Sequence, residues 1–148
     1  MTSVEKDKRI ETSVTIPQAE EFNILIPEGE YDAVCCKTEA ALSFGGARKI
    51  FIKFRIHDGK HDGTELFMAC NYPRGKIKPR LKYYQQWMLA TGRRPNKREK
   101  LAPKVFPRRM YKVLVRDTKP KFANGKPKPD IFRYSVVDTI IEAQTGVR

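Results

Sequence analysis

The clearest pattern in the chain is a strict alternation. Ile50, Ile52, Phe54 and Ile56 take every second position, with Phe51, Lys53, Arg55 and His57 between them. Period two marks a strand with one buried face. Upstream, Pro27-Glu28-Gly29 is a turn signal that introduces a first strand from Glu30 to about Lys37. Downstream, Asp58-Gly59 and Asp62-Gly63 turn the chain into a third strand, Thr64 to about Asn71. The period then changes over 79–91. Leu81, Tyr84 and Met88 share one helical stripe with Trp87 beside it, Pro79 suits a first turn, and Gly92 suits a C-terminal stop. A Pro-rich basic loop, Arg93 to Pro107, leads to a fourth strand from about Arg109 to Arg116. A second basic loop, Lys119 to Pro129 with Asn124-Gly125 at its tip, leads to a fifth, Ile131 to Val137. Asp138 to Ala143 suits a short terminal helix, and Phe22 to Ile26 an extended lead-in.

Three strands, a helix and two strands is the element order of the OB-fold, a five-stranded Greek-key barrel, here with the helix expected to plug one end. A mixed α+β sheet that does not close is the alternative. The expected division is a flexible, acidic-leaning tail over 1–21, an OB-fold-like domain over 22–143, and a C-terminal end over 144–148. Lys6, Lys8 and Arg9 face six acids before residue 29, so the positive excess all lies downstream.

That excess changes the picture from fold to partner. Thirty Lys and Arg face 17 Asp and Glu, a formal net charge of +13 on 148 residues. Phosphate backbones are the abundant counter-charge for such a protein. No apolar run approaches the roughly 20 residues of a membrane helix, and Met1 to Lys8 is polar without a signal-peptide pattern. A cytoplasmic protein that does not engage membranes is expected. Cys35 and Cys36 are adjacent and Cys70 stands alone, which fits neither a disulfide framework nor a zinc site. His57 and His61 flank a turn, no phosphate-cradling glycine motif is present, and the acids are scattered. The chain is therefore expected to bind, not to catalyse, with no cofactor, no metal and no catalytic residues.

If the Ile50–Ile56 face of the second strand points inward, Phe51, Lys53 and Arg55 point outward. If Leu66, Met68 and Cys70 of the third strand point inward, Phe67 and Asn71 point outward. Aromatic rings beside cations suit unpaired bases, which stack on the rings while the cations follow the phosphates. Two readings stay open: Phe51 and Phe67 stack bases, or they pack under a loop or the lead-in. The loops that flank an OB-fold groove add Phe44, Arg48 and Lys49 between the first two strands, and Lys119, Lys121, Phe122 and Lys126 between the last two. Tyr72 and Arg74 follow the third strand, Lys76 comes next, and Lys112 and Arg116 lie on the fourth; these complete the candidate site. Tyr83, Tyr84 and Trp87 are expected in the core, with Tyr83 as the member to be exposed and Tyr72 the better stacking candidate. From Arg74 to Arg109 thirteen cations accompany one acid, Glu99. This segment extends a nucleic-acid track or docks an acidic protein partner.

"IPEGEYDAV", "KIFIKFRI", "GTELFMACN", a helix with Trp87 and the closing "RYSVVD" resemble small OB-fold single-stranded DNA-binding proteins of phages, plasmids and integrating mobile elements. The resemblance spans about residues 25–140 and implies protection of single-stranded DNA in replication, recombination or transfer. The chain departs from the bacterial pattern in lacking a Gly/Gln-rich linker and an acidic tip, ending in Gly146-Val147-Arg148. The expected function is single-stranded DNA binding with little sequence preference. RNA is admitted by the same platform, and the alternative is a protein-interaction module that inhibits or recruits an acidic partner. The oligomeric state is left open.

Overall fold

The computed structural model describes residues 15–20, 24–42 and 45–144. Five strands, β1 (Gly29–Leu42), β2 (Arg48–Ile56), β3 (Glu65–Asn71), β4 (Met110–Asp117) and β5 (Ser135–Ala143), form one sheet, with one α-helix, α1 (Lys82–Thr91). The strand order is β3-β2-β1-β4-β5, and every neighbouring pair is antiparallel. β3 and β5 remain the sheet's two edges: no ladder joins them among the described residues, so the sheet does not close into a barrel.

The alternation of β2 is realised in full. Ile50, Ile52, Phe54 and Ile56 are buried, as are Leu66, Met68 and Cys70 on β3. Ala33 and Cys35 of β1, Tyr111, Val113 and Val115 of β4, and Val137 and Ile140 of β5 complete the sheet's side of the core. β1 is interrupted once. Cys35 pairs with Phe54 and Lys37 with Lys53, so Cys36 has no partner on β2, which makes a β-bulge. The bulge backbone is held from the other side: Cys35 N–H donates to Arg109 O at 3.1 Å, and Arg108 N–H to Cys35 O at 2.9 Å. Arg108 adopts a left-handed backbone (φ 69°) at this point, uncommon for a residue with a Cβ.

α1 buries Tyr83, Gln86, Trp87 and Ala90, a spacing of three, four and seven that defines one helical face. This corrects the expected stripe through Leu81, Tyr84 and Met88. Tyr83 in particular is 0 % exposed, and its hydroxyl donates to Leu101 O at 2.7 Å. Trp87 Nε1 donates to Ala102 O at 3.3 Å. Gln86 is a polar residue in the core because its amide is satisfied by β5: Nε2 donates to Thr139 Oγ1, and Ile140 N–H donates to Oε1, both at 2.8 Å. The helix ends as expected at Gly92, left-handed at φ 74°, whose N–H donates to Met88 O. It begins at Lys82, later than Pro79 suggests.

The last strand is the larger correction. Asp130–Phe132 is a 3-10 turn, and the strand starts at Ser135 and runs through Ala143, so 138–143 is strand and not helix. β1 also runs further than expected, to Leu42. The lead-in is partly confirmed. Ile26 is buried and its N–H donates to Ser135 Oγ at 2.8 Å, while Ser135 N–H donates to Ile24 O. Phe22 lies outside the described residues. So does the tail before residue 15, and residues 15–20 are exposed.

Candidate nucleic-acid interface

On the outer side of the sheet, β1, β2 and β3 form rows of facing residues. Lys37, Lys53 and Phe67 make one row; Glu39, Phe51 and Ala69 the next; Ala41, Lys49 and Asn71 a third; and Val34, Arg55 and Glu65 the row beyond Lys53. The bulge at Cys36 is what puts Lys37 and Glu39 on this side. Phe51 and Phe67 sit diagonally and meet edge to face, ring centroids 5.7 Å apart. Lys37, Glu39, Phe51, Lys53 and Phe67 line a shallow depression of about 230 Å³.

Charge on this face is unevenly compensated. Glu65 bonds Arg55 at 2.9 Å and stands 3.8 Å from Lys53, so one carboxylate serves two cations. Lys37 and Lys53 occupy directly opposed positions, an arrangement that costs free energy unless an anion lies between them. Lys49 Nζ donates to Asn71 Oδ1 at 3.1 Å.

Tyr134 was not singled out in the sequence, yet its ring lies 6.3 Å from Phe67. The base of the β4–β5 connection holds it there. Thr118 N–H donates to Tyr134 O at 2.8 Å, and Tyr134 N–H to Thr118 Oγ1 at 3.3 Å. One residue away, Arg133 pairs with Asp117 at 2.6 Å. Beyond this base the connection folds back as a small hairpin, with Phe122 N–H donating to Lys126 O and a bridge between Lys121 and Pro127. Phe122 is 48 % exposed and Ile131 83 %. Lys128 Nζ lies 5.6 Å from the Phe122 ring and 5.4 Å from the Phe132 ring. Lys119, Lys121 and Lys126 are exposed on the same hairpin. Lys128 belongs to the basic loop the sequence picks out, whereas Ile131 and Phe132 were missed because 131–134 reads as strand.

Other sequence candidates fall elsewhere. Tyr72 is half-buried, stacked edge to face on Tyr83 at 4.9 Å with the Arg48 guanidinium 4.6 Å over its ring. It is a structural aromatic at the margin of the platform more than an open one. Lys112 and Arg116 lie on β4 and are already paired, Lys112 with Asp32 at 3.4 Å and Arg116 with Asp138 at 2.7 Å. Phe44 lies outside the described residues. Arg74 and Lys76 are exposed beyond the end of β3.

Burial pushes the Cys35 thiol up to about 12, with Cys36 adding to the effect, and the Cys70 thiol up to about 11. Burial also raises Tyr83 and Tyr111 far above the ordinary tyrosine range. All four stay protonated at neutral pH. Glu99 moves the other way, to about 2, through its hydrogen bonds from Arg93 and then from the Asn96 N–H. That carboxylate holds its pair at 2.7 Å until the pH falls towards 2. Among the described residues no group of His, Cys, Asp and Glu is arranged to hold a metal ion, and no helix is long and apolar enough to cross a membrane.

A scan against protein-family models matches none, and a search of curated proteins finds no match.

Proposed function

We propose that this protein binds single-stranded DNA with little sequence preference, bases stacking on Phe51, Phe67 and Tyr134 while Lys37, Lys53 and Arg55 contact phosphates. The observation that carries the reading is the outer face of β2 and β3: two touching aromatic rings set in a depression whose other walls are mostly lysine. Every base has a π-face, so such a platform grips any sequence. The exposed hairpin between β4 and β5, with Phe122 and its lysines, supplies a second aromatic and cationic grip. The strand order β3-β2-β1-β4-β5, with the helix between β3 and β4, supports an OB-fold whose two edges approach without pairing. In that reading the protein protects single strands during replication, recombination or transfer of a mobile element, and acts by binding alone.

The test is an anisotropy titration of labelled single-stranded DNA, duplex DNA and RNA of equal length. Single-stranded DNA should bind tightest, with log affinity falling against log salt at about −0.7 per phosphate neutralised. Stacking worth about 1–3 kcal/mol per base makes Phe51→Ala weaken binding by roughly 5- to 150-fold. Absence of binding to single-stranded DNA and RNA at low salt would sink the proposal and leave the acidic-partner alternative.

A further inference from the structure

The platform accounts for few of the chain's cations. The connection from β3 to α1 holds Arg74, Lys76, Lys78, Arg80 and Lys82 with no acid among them. The first four are exposed, and no ion pair involves any of the five among the described residues. Arg93, by contrast, has Glu99. Five like charges in nine residues repel one another, and nothing described in the fold relieves them.

The connection is also fixed in place. Tyr72 N–H donates to Arg48 O at 3.0 Å and Leu81 N–H to Lys78 O at 3.0 Å, while Ile77 packs against the core. It leaves the sheet at the Lys49–Asn71 row, one end of the aromatic platform. Cys70, buried beside this junction, has its thiol raised by burial, with Lys82 and then Lys49 acting against that rise. Cations thus alternate along the chain from Arg74, just beyond the end of β3, to Lys82 at the start of α1.

We propose that Arg74–Lys82 is a second phosphate track, which takes the backbone of the same single strand after its bases leave the platform. The proposal rests on the reading above and extends it: stacked bases at Phe51 and Phe67 deliver the strand past Lys49, and the connection then holds it by charge alone. Nucleotides there are gripped without stacking, because Tyr72 is already committed to Tyr83 and Arg48. The bound length accordingly exceeds what the aromatic face spans.

The experiment compares oligo-dT of about 5 and about 15 nucleotides, the range of single OB-fold sites, against wild type, Phe51→Ala, and a variant carrying Arg74→Gln, Lys76→Gln, Lys78→Gln and Arg80→Gln. All four changed residues are exposed, and circular dichroism checks the fold. The quadruple variant should bind the long strand at least ~10-fold more weakly at low salt, with a salt slope smaller by about 2 to 3. Its affinity for the short strand should stay within about twofold. Phe51→Ala should weaken both lengths. Equal long-strand affinity for wild type and quadruple variant overturns the track, as does an equal loss on the short and the long strand. Failure of the wild type to bind either strand overturns the platform reading itself.

Discussion

The two halves of the sheet's outer face are built on one backbone plan and carry opposite charge patterns. Around β2 and β3, Lys37, Lys49, Lys53 and Arg55 face Glu39 and Glu65, with Phe51 and Phe67 between them. Around β4, Lys112 faces Asp32 and Glu142, Arg116 pairs with Asp138, and Glu30 stands opposite Leu114 between them. A cation on β4 is neutralised by the strand beside it; a cation on β2 is left in excess. Counting lysines along the chain does not separate the two halves. The pairing of the strands does, because an acid neutralises a cation only where neighbouring strands bring the two within reach, opposite as for Lys112 and Asp32 or across a register shift as for Arg116 and Asp138.

The largest effect should come from the rings. Phe67→Ala is expected to weaken single-stranded DNA binding by roughly 5- to 150-fold, whereas Leu114→Ala on the other half should stay within about twofold, since no base stacks there. Equal losses in an anisotropy titration would erase the distinction between the halves. Next come the cations. Lys53→Gln with Arg55→Gln should reduce the salt slope by about 1.4, two phosphates' worth, while Lys112→Gln with Arg116→Gln should leave the slope unchanged. The second pair removes two surface ion pairs and should lower stability by no more than about 2 kcal/mol in urea unfolding. A slope that falls equally in both would show that pairing does not withhold β4 from the strand. The smallest effect sharpens the comparison from the acid's side. Glu65→Gln releases Lys53 and Arg55, and should tighten binding at low salt by about 2- to 5-fold, the scale of a surface ion pair. Weaker binding by this variant would mean that Glu65 positions the cations instead of competing for them.

What the sequence disclosed follows the same logic. β2 and β3 were legible because each is regular from end to end, and period two survives only in a regular ladder. β5 was not. Its pairing with β4 shifts twice, so inward-facing Val137 and Ile140 are three residues apart, a spacing that reads as helix. β1 hides its second half in the same way behind the bulge, and its exposed Ala40, Ala41 and Leu42 give no alternation. The helix was found but turned wrongly, because its buried face includes Gln86, whose partners on β5 cannot be seen from local pattern. For the site, Phe51, Lys53, Arg55 and Phe67 were accessible from alternation alone. Tyr134, Lys37 and Glu39 required the pairing, and Lys112 and Arg116 looked available until their acids were placed opposite them.

The bulge at Cys36 has a consequence for how the chain tolerates change. The Cys36 thiol donates to Val34 O at 3.9 Å, and Val34 stands opposite Arg55 on the binding face. Were Cys36 to pair with Lys53, each later position of β1 would exchange sides, sending Lys37 and Glu39 towards Ile52 and Ile50; deleting Cys36 instead leaves Cys35 opposite Phe54 and Lys37 opposite Lys53 in a regular ladder. Deletion of Cys36 should therefore keep Lys37 and Glu39 on the binding face and Thr38 and Ala40 opposite Ile52 and Ile50, whereas inserting one further residue after Lys37 would move every later position of β1 to the other side.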